Sequence, residues 1–145
     1  MAKREPLFFE EVTPGDTFTL PPTTITADMR KMHIDLYGED WPDETLSDPL
    51  DRGVVPASLV ISIVVGQMGR LNFLSMKFMK EFYLRCYHSI FVDDTINSKI
   101  KITEVRPHKD LNKDYGYVFF DQEILNQHET LCFLRKVCYL VFRKP

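Results

Sequence analysis

The chain has 145 residues, of which 44% are hydrophobic, and its 18 basic and 21 acidic side chains give a net charge of -3. This length and composition predict one globular domain spanning residues 1–145. A slightly acidic chain offers no basic stripe, which argues against nucleic acid and against an anionic membrane surface as partners.

Cysteine usage and the N-terminus favour a cytoplasmic protein. An odd number of cysteines within apolar stretches argues against a secreted disulfide framework and predicts reduced core residues at Cys86, Cys132 and Cys138. No metal-ligand spacing, glycine-rich phosphate loop or nucleotide fingerprint is present, so no metal and no cofactor are predicted. Residues 1–12 carry charge but no apolar export signal.

The first 38 residues predict two short extended segments followed by a short helix. The apolar pieces at 7–9 and 18–20 flank a turn sequence at 13–16, TPGD, and two prolines then stop the second segment. Thr26 is a good N-cap, and the apolar residues after it predict a helix that ends at Gly38.

An acidic segment without periodicity follows this helix. Residues 39–51 hold two prolines, the only tryptophan and six carboxylates, namely Glu39, Asp40, Asp43, Glu44, Asp48 and Asp51. The pattern predicts a loop, and loops on a rigid scaffold are where binding residues gather.

Residues 53–69, GVVPASLVISIVVGQMG, carry no charge and predict the central helix. Pro56 suits the first turn of a helix, and the residues after it are apolar on nearly every side, which indicates a helix surrounded by protein. A membrane span needs about 20 apolar residues. This run is too short and is interrupted by polar and small residues, so a buried helix is predicted.

From residue 78 onward the sequence predicts strands. Four segments rich in β-branched and aromatic residues are separated by short polar breaks, and residues 95–102 alternate polar and apolar, as a half-buried strand does. One apolar helix ahead of a long antiparallel meander predicts an α+β domain in which a curved sheet wraps around that helix. Such a sheet leaves exposed edges, so a dimer is expected.

Four segments carry a resemblance to a known family. FFEEVTPGD at 8–16 is similar to the opening "FEDfxvGD", and TITAD at 24–28 is similar to the helix start "TITeaD". VVPASL at 54–59, followed by Ser62 and Gly66, resembles the central helix "hxPGxLxxSLxxGL". FVDDTI at 91–96, leading into EVRP at 104–107, resembles the strand entry "PVxxGDTL…vxevrp". Over nearly its whole length the chain thus resembles the MaoC-like branch of the hot-dog fold, which includes (R)-specific enoyl-CoA hydratases and hydroxyacyl-thioester dehydratases.

This resemblance implies hydration or dehydration of an acyl thioester carried by coenzyme A or by a carrier protein. Family hydratases have a G-D-x-N-P-L-H pattern, in which the Asp and the His hold or activate the water. Here residues 38–44 read GEDWPDE, so Glu39 stands at the aspartate position, or Asp40 does after a one-residue shift, and Glu44 replaces the histidine. The resemblance therefore implies an altered catalytic motif in which clustered carboxylates raise one another's pKa and one acts as the acid. A solvated acidic loop is the competing interpretation.

The resemblance also implies substrate contacts at the start of the central helix. Ala57 occupies the place of a glycine whose backbone N–H polarises the thioester carbonyl together with the helix dipole, and alanine can keep that role. Ser58 and Trp41 are the other expected substrate contacts. His33 and His88 could supply an imidazole through folding, whereas Ser58 shows no histidine partner in the sequence for nucleophilic catalysis.

Two further functions stay open. The chain could be a non-catalytic acyl-binding subunit in a homodimer, or in a heterodimer with an active paralogue. It could also be a hot-dog thioesterase that uses a single carboxylate, Glu39 or Asp40.

Overall fold

The computed structural model describes residues 5–38 and 53–145. After a short 3-10 turn at Phe9–Glu11, the helices and strands follow in the order β1 (Thr17–Thr24), α1 (Ala27–Tyr37), α2 (Ala57–Leu71), β2 (Met76–Cys86), β3 (Thr95–Pro107), β4 (Tyr115–Leu125) and β5 (Leu131–Phe142).

The five strands form one antiparallel sheet with α2 packed on one face. The strand order is β1-β3-β4-β5-β2, and every neighbouring pair is antiparallel. Each ladder contains a register shift, and such bulges bend strands. The predicted α+β hot-dog architecture is confirmed.

The strand order corrects one detail of the predicted meander, because β2 pairs with β5 rather than with the next strand in sequence. The connection between β2 and β3 crosses the start of α2, where Val55 N–H donates to Ile90 O at 2.8 Å. The chain therefore passes the helix before β3 begins, and β3 joins the sheet beside β1, away from β2.

The sheet face that meets α2, here called the inner face, is mostly apolar. The alternation predicted for residues 95–102 is confirmed, since Ile96, Ile100 and Ile102 are buried. Helix α2 contributes Val60, Val64 and Met68, each at most 2% exposed, and this apolar contact is the centre of the core.

The opposite side of α2 differs from the prediction of a helix surrounded by protein. Its solvent-exposed residues are Ser58, Ser62, Val65, Gly66, Gly69 and Arg70. Strand β2 is similarly open, with none of its 11 residues buried. Across residues 5–38 and 53–145, no helix is long and apolar enough to cross a membrane.

The three cysteines form no disulfide with one another, and only two of them are the core residues that the sequence predicted. Cys132 and Cys138 are buried, and burial raises the pKa of the Cys132 thiol to about 11. The core prediction is wrong for Cys86, which is exposed because it ends the edge strand β2.

Gly116 provides a test of close packing. A Cβ atom built at Gly116 would overlap Cε2 of the Phe9 ring, whereas a Cβ at Gly66 on α2 has no neighbour within 4 Å. We expect Gly116→Ala to lower the free energy of unfolding by about 1–3 kcal/mol through overpacking. The control Gly66→Ala should leave it unchanged or raise it by up to about 1 kcal/mol, since alanine favours the helix. Urea denaturation measures both variants, and equal stabilities would contradict the Phe9 contact.

Candidate functional site

The start of α2 presents a backbone donor that no described residue uses. The helix begins at Ala57 after Pro56, whose carbonyl accepts hydrogen bonds from Leu59 N–H at 3.0 Å and Val60 N–H at 3.3 Å. Among residues 5–38 and 53–145, no group accepts a hydrogen bond from the N–H of the half-buried Ala57. Because a helix N-terminus carries a partial positive charge, this N–H is suited to an electron-rich oxygen such as a carbonyl.

An imidazole lies beside this donor. His33 on α1 is 8% exposed, and its Nε2 lies 2.9 Å from Oγ of Ser58, the second residue of α2. The His33 ring packs against Tyr37 with a centroid distance of 5.2 Å. The tautomer of His33 decides which partner donates in the His33–Ser58 pair, and either arrangement places a proton-transfer group at the positive end of α2.

Helix α1 is held in this position by a second contact. Its N-cap forms as predicted, with Met29 N–H donating to Thr26 Oγ1 at 3.2 Å. The next residue of α1 is Arg30, whose Nε donates a hydrogen bond to Val54 O at 2.7 Å. Gly53 lies against the same side chain, because a Cβ at Gly53 would be 3.3 Å from Arg30 Nε. Arg30 and His33 therefore fix α1 against the segment that leads into α2.

Of the predicted site residues, the structure places Ala57 and Ser58 at the start of α2. The other predicted site residues, Glu39, Asp40, Trp41 and Glu44, lie outside the described residues. His88 is exposed, and its Nδ1 contacts the neighbouring Ser89 carbonyl at 2.7 Å. Of the two histidines considered, His33 is the one that reaches the start of α2.

The His33–Ser58 pair was not predicted from the sequence. The expectation that Ser58 lacks a histidine and an acid partner is corrected for the histidine alone, which lies on another helix, 25 residues away. The available signal was the spacing of Met29, His33 and Tyr37, which places them on one face of α1. Ser62 behaves differently, since its Oγ donates to Ser58 O within the same helix at 2.8 Å.

Among residues 5–38 and 53–145, no group of three or more His, Cys, Asp or Glu side chains could hold a metal ion.

Comparison with known proteins gives similarity in structure without a match in sequence. Neither a protein-family model nor a curated protein matches the chain. A monoamine oxidase regulatory protein from Archaeoglobus fulgius has a TM-score of 0.83 and 18% identity, with 100% of both chains covered. A MaoC-like dehydratase from Rhodospirillum rubrum has a TM-score of 0.79 and 17% identity, covering 96% of this chain and 99% of that chain.

An (R)-hydratase from A. caviae involved in PHA biosynthesis has a TM-score of 0.70 and 16% identity, covering 94% of this chain and 99% of that chain. Identities this low show the fold alone. The chain thus has the hot-dog fold that MaoC-like dehydratases and (R)-hydratases share.

The His33–Ser58 contact can be tested by its effect on stability. Ser58→Ala leaves a buried imidazole nitrogen without its partner, so we expect the free energy of unfolding to fall by about 1–3 kcal/mol. Ser62→Ala is the matched control, because Ser62 bonds only a carbonyl of its own helix and its loss should be nearly neutral. Chemical denaturation compares the two variants, and a Ser58→Ala protein as stable as the control would contradict a structural contribution from the pair.

Proposed function

We propose that this chain is a MaoC-like hot-dog protein that adds water to, or removes it from, an acyl chain carried as a thioester of coenzyme A or of a carrier protein. The observation that carries the proposal is the Ala57 N–H, which has no described partner, points from the positive end of α2 and lies next to the His33–Ser58 pair.

The Ala57 N–H would act on the thioester carbonyl. A hydrogen bond from this N–H, added to the helix dipole, stabilises the negative charge that develops on the carbonyl oxygen during the reaction. That charge develops when water adds to the carbon β to the carbonyl, and also when a proton leaves the α carbon in the reverse reaction. A main-chain donor performs this role equally well with alanine or glycine at position 57.

Proton transfer then requires an acid and a base at the reacting carbons. The carboxylates at Glu39 or Asp40 and at Glu44 are proposed for this role, with Trp41 and Ser58 as substrate contacts, in an altered form of the family's Asp/His pair. His33 is a further candidate, because its imidazole already lies at the start of α2 and can exchange a proton through Ser58 Oγ.

A second subunit is part of the proposal. The open side of α2 and the edge strand β2 expose apolar residues, including Val65 at 38% and Tyr83 at 52%. Exposed apolar residues of this kind are typical of a surface that is covered by another chain. That chain would be a second copy or a paralogue. In the paralogue case this chain would be a non-catalytic, acyl-binding subunit, and a hot-dog thioesterase is the remaining alternative. The cytoplasm is the proposed location, because the three cysteines form no disulfide with one another.

Replacing Ala57 with proline tests the backbone donor directly. Proline removes the N–H, is favoured at the first position of a helix, and would follow a residue whose backbone, with φ -56 and ψ 137, suits a residue before proline. We expect Ala57→Pro to fold normally and to lower kcat/KM by roughly 10²–10³, as when one oxyanion donor is lost. Ala57→Gly retains the N–H and should keep most of the activity. Equal activity in both variants would remove the Ala57 N–H from the mechanism.

Incubation with crotonyl-CoA and longer enoyl thioesters separates the alternative functions. Hydration removes the absorbance of the conjugated double bond without releasing thiol, and this is the expected result. Released thiol would indicate a thioesterase, and binding without either change would indicate the non-catalytic subunit. Single alanine variants at Glu39, Asp40, Glu44 and His33 then assign proton transfer. A true acid or base should cost at least about 10² in kcat, and a set of four active variants would exclude all of them.

A further inference from the structure

Arg135 is a buried guanidinium without a counter-ion in the described part of the chain. It lies on the inner face of β5 and is 0% exposed. Its Nε donates to Gln122 Oε1 at 2.8 Å, and Gln122 Nε2 donates to Ser98 Oγ at 2.6 Å. Since an arginine side chain stays protonated in proteins, a full positive charge lies in the core beside uncharged partners.

The far side of this guanidinium is poorly satisfied. Nη2 lies 2.7 Å from the thioether sulfur of Met68, a weak acceptor, and Nη1 is buried with no hydrogen-bond partner. The rings of Phe82 and Phe120 lie 5.6 and 6.0 Å from Cζ, which offsets part of the desolvation by cation–π attraction. Burial also lowers the pKa of Arg135, because it disfavours the charged form, and the nearby Tyr139 side chain opposes that shift in part. Nη1 and Nη2 together form the fork that binds a carboxylate through two parallel hydrogen bonds.

The side chain of Phe82 separates the guanidinium from an exposed apolar surface. Phe82, which covers it, is on the edge strand β2 and is 42% exposed, and Met79 on the same inner face is 41% exposed. Leu84, the next inner residue of β2, packs on the cluster that contains Val60 and Val64 of α2. Apolar side chains therefore continue from the first turns of α2 along β2 to Phe82, and they would give an acyl chain a path to Arg135 if Phe82 moved.

The spacing along α2 sets the length of ligand that could use this path. From Ala57 to Met68, whose sulfur contacts Arg135, the helix rises roughly 16 Å at 1.5 Å per residue. A thioester carbonyl at the Ala57 N–H would thus leave room for an extended chain before the fork is reached. A methyl-terminated chain would gain nothing from the charge, whereas a terminal carboxylate would neutralise it.

We propose that Arg135 binds a carboxylate at the far end of the acyl chain, so that the preferred ligand is the monothioester of a dicarboxylic acid with on the order of ten carbons, the length that the rise of α2 allows. The carboxylate displaces the Met68 sulfur and accepts hydrogen bonds from Nη1 and Nη2, while Phe82 moves aside. This inference rests on the proposed function for the position of the thioester, and it adds the class of acyl chain.

Binding of saturated thioesters tests the inference without requiring turnover. Titration calorimetry would compare sebacyl-CoA, which ends in a carboxylate, with decanoyl-CoA, which has the same length and ends in a methyl group. We expect sebacyl-CoA to bind about tenfold more tightly or better, as one charge-assisted pair of hydrogen bonds allows. Equal affinity, or a preference for decanoyl-CoA, would overturn the proposal.

Three variants assign the effect to Arg135. Arg135→Met should abolish the preference for sebacyl-CoA, and Arg135→Lys, which keeps the charge but not the fork, should reduce it. Lys136→Met is the matched control, because Lys136 is the next residue of β5, faces outward and lies 3.7 Å from Asp121. A sebacyl preference that survives in Arg135→Met would overturn the assignment. If Arg135→Met fails to fold, Arg135→Lys and the wild-type comparison still decide the question.

Free sebacate separates failure of this inference from failure of the proposed function. If neither thioester binds but sebacate binds the wild-type protein and not Arg135→Met, the carboxylate site stands and the thioester function falls. If decanoyl-CoA binds and neither sebacyl-CoA nor sebacate does, the carboxylate site falls and the thioester function stands. Absence of binding by all three ligands would overturn both.

Discussion

Apolar packing of α2 on the inner face of the sheet is the contact on which the rest of the structure depends. Val60 and Val64 are fully buried against a layer that includes Ile96 and Ile124, and burial of this kind is the main driving force of folding. The packing fixes where the helix begins, and with it the direction of the Ala57 N–H. The Ser58 hydroxyl is placed by the same turn, so α1 docks at the same point through His33.

Polar groups are placed around this apolar layer in two different ways. At the start of α2, His33, Ser58 and a backbone N–H meet at the boundary between core and solvent. Further along, Arg135 lies within the layer itself, and among the described residues its hydrogen-bond partners are an amide and a thioether rather than a carboxylate. Burial of a charge without an opposite charge beside it is costly, so Arg135 is the point at which this layer departs from apolar packing.

The sequence predicted the elements well because each has a strong local pattern. Alternation identified β3, the uncharged run identified α2, and Thr26 with Gly38 bounded α1. It failed where tertiary context decided the outcome. Pro21 and Pro22 do not stop β1, which continues to Thr24, because an edge strand with a register shift tolerates residues that lack an N–H.

The candidate site was less predictable than the fold for the same reason. Ala57 could be located because its role belongs to a helix start, which is a local feature. The His33–Ser58 and Arg135–Met68 contacts join residues 25 and 67 positions apart, so the local spacing that places His33 on one face of α1 does not identify its partner. Arg135 lies in an apolar strand sequence, LCFLRKVCYLVF, in which a charged side chain would be expected to face outward to solvent.

The edge strand β2 has a consequence for how copies of the chain meet one another. One side of its backbone has no strand neighbour among the described residues, and Lys77, Lys80 and Arg85 are interspersed with its apolar side chains. Cations on an edge strand oppose edge-to-edge stacking into fibrils. Uncontrolled extension of the sheet at this edge is therefore disfavoured by the charges that the strand itself carries.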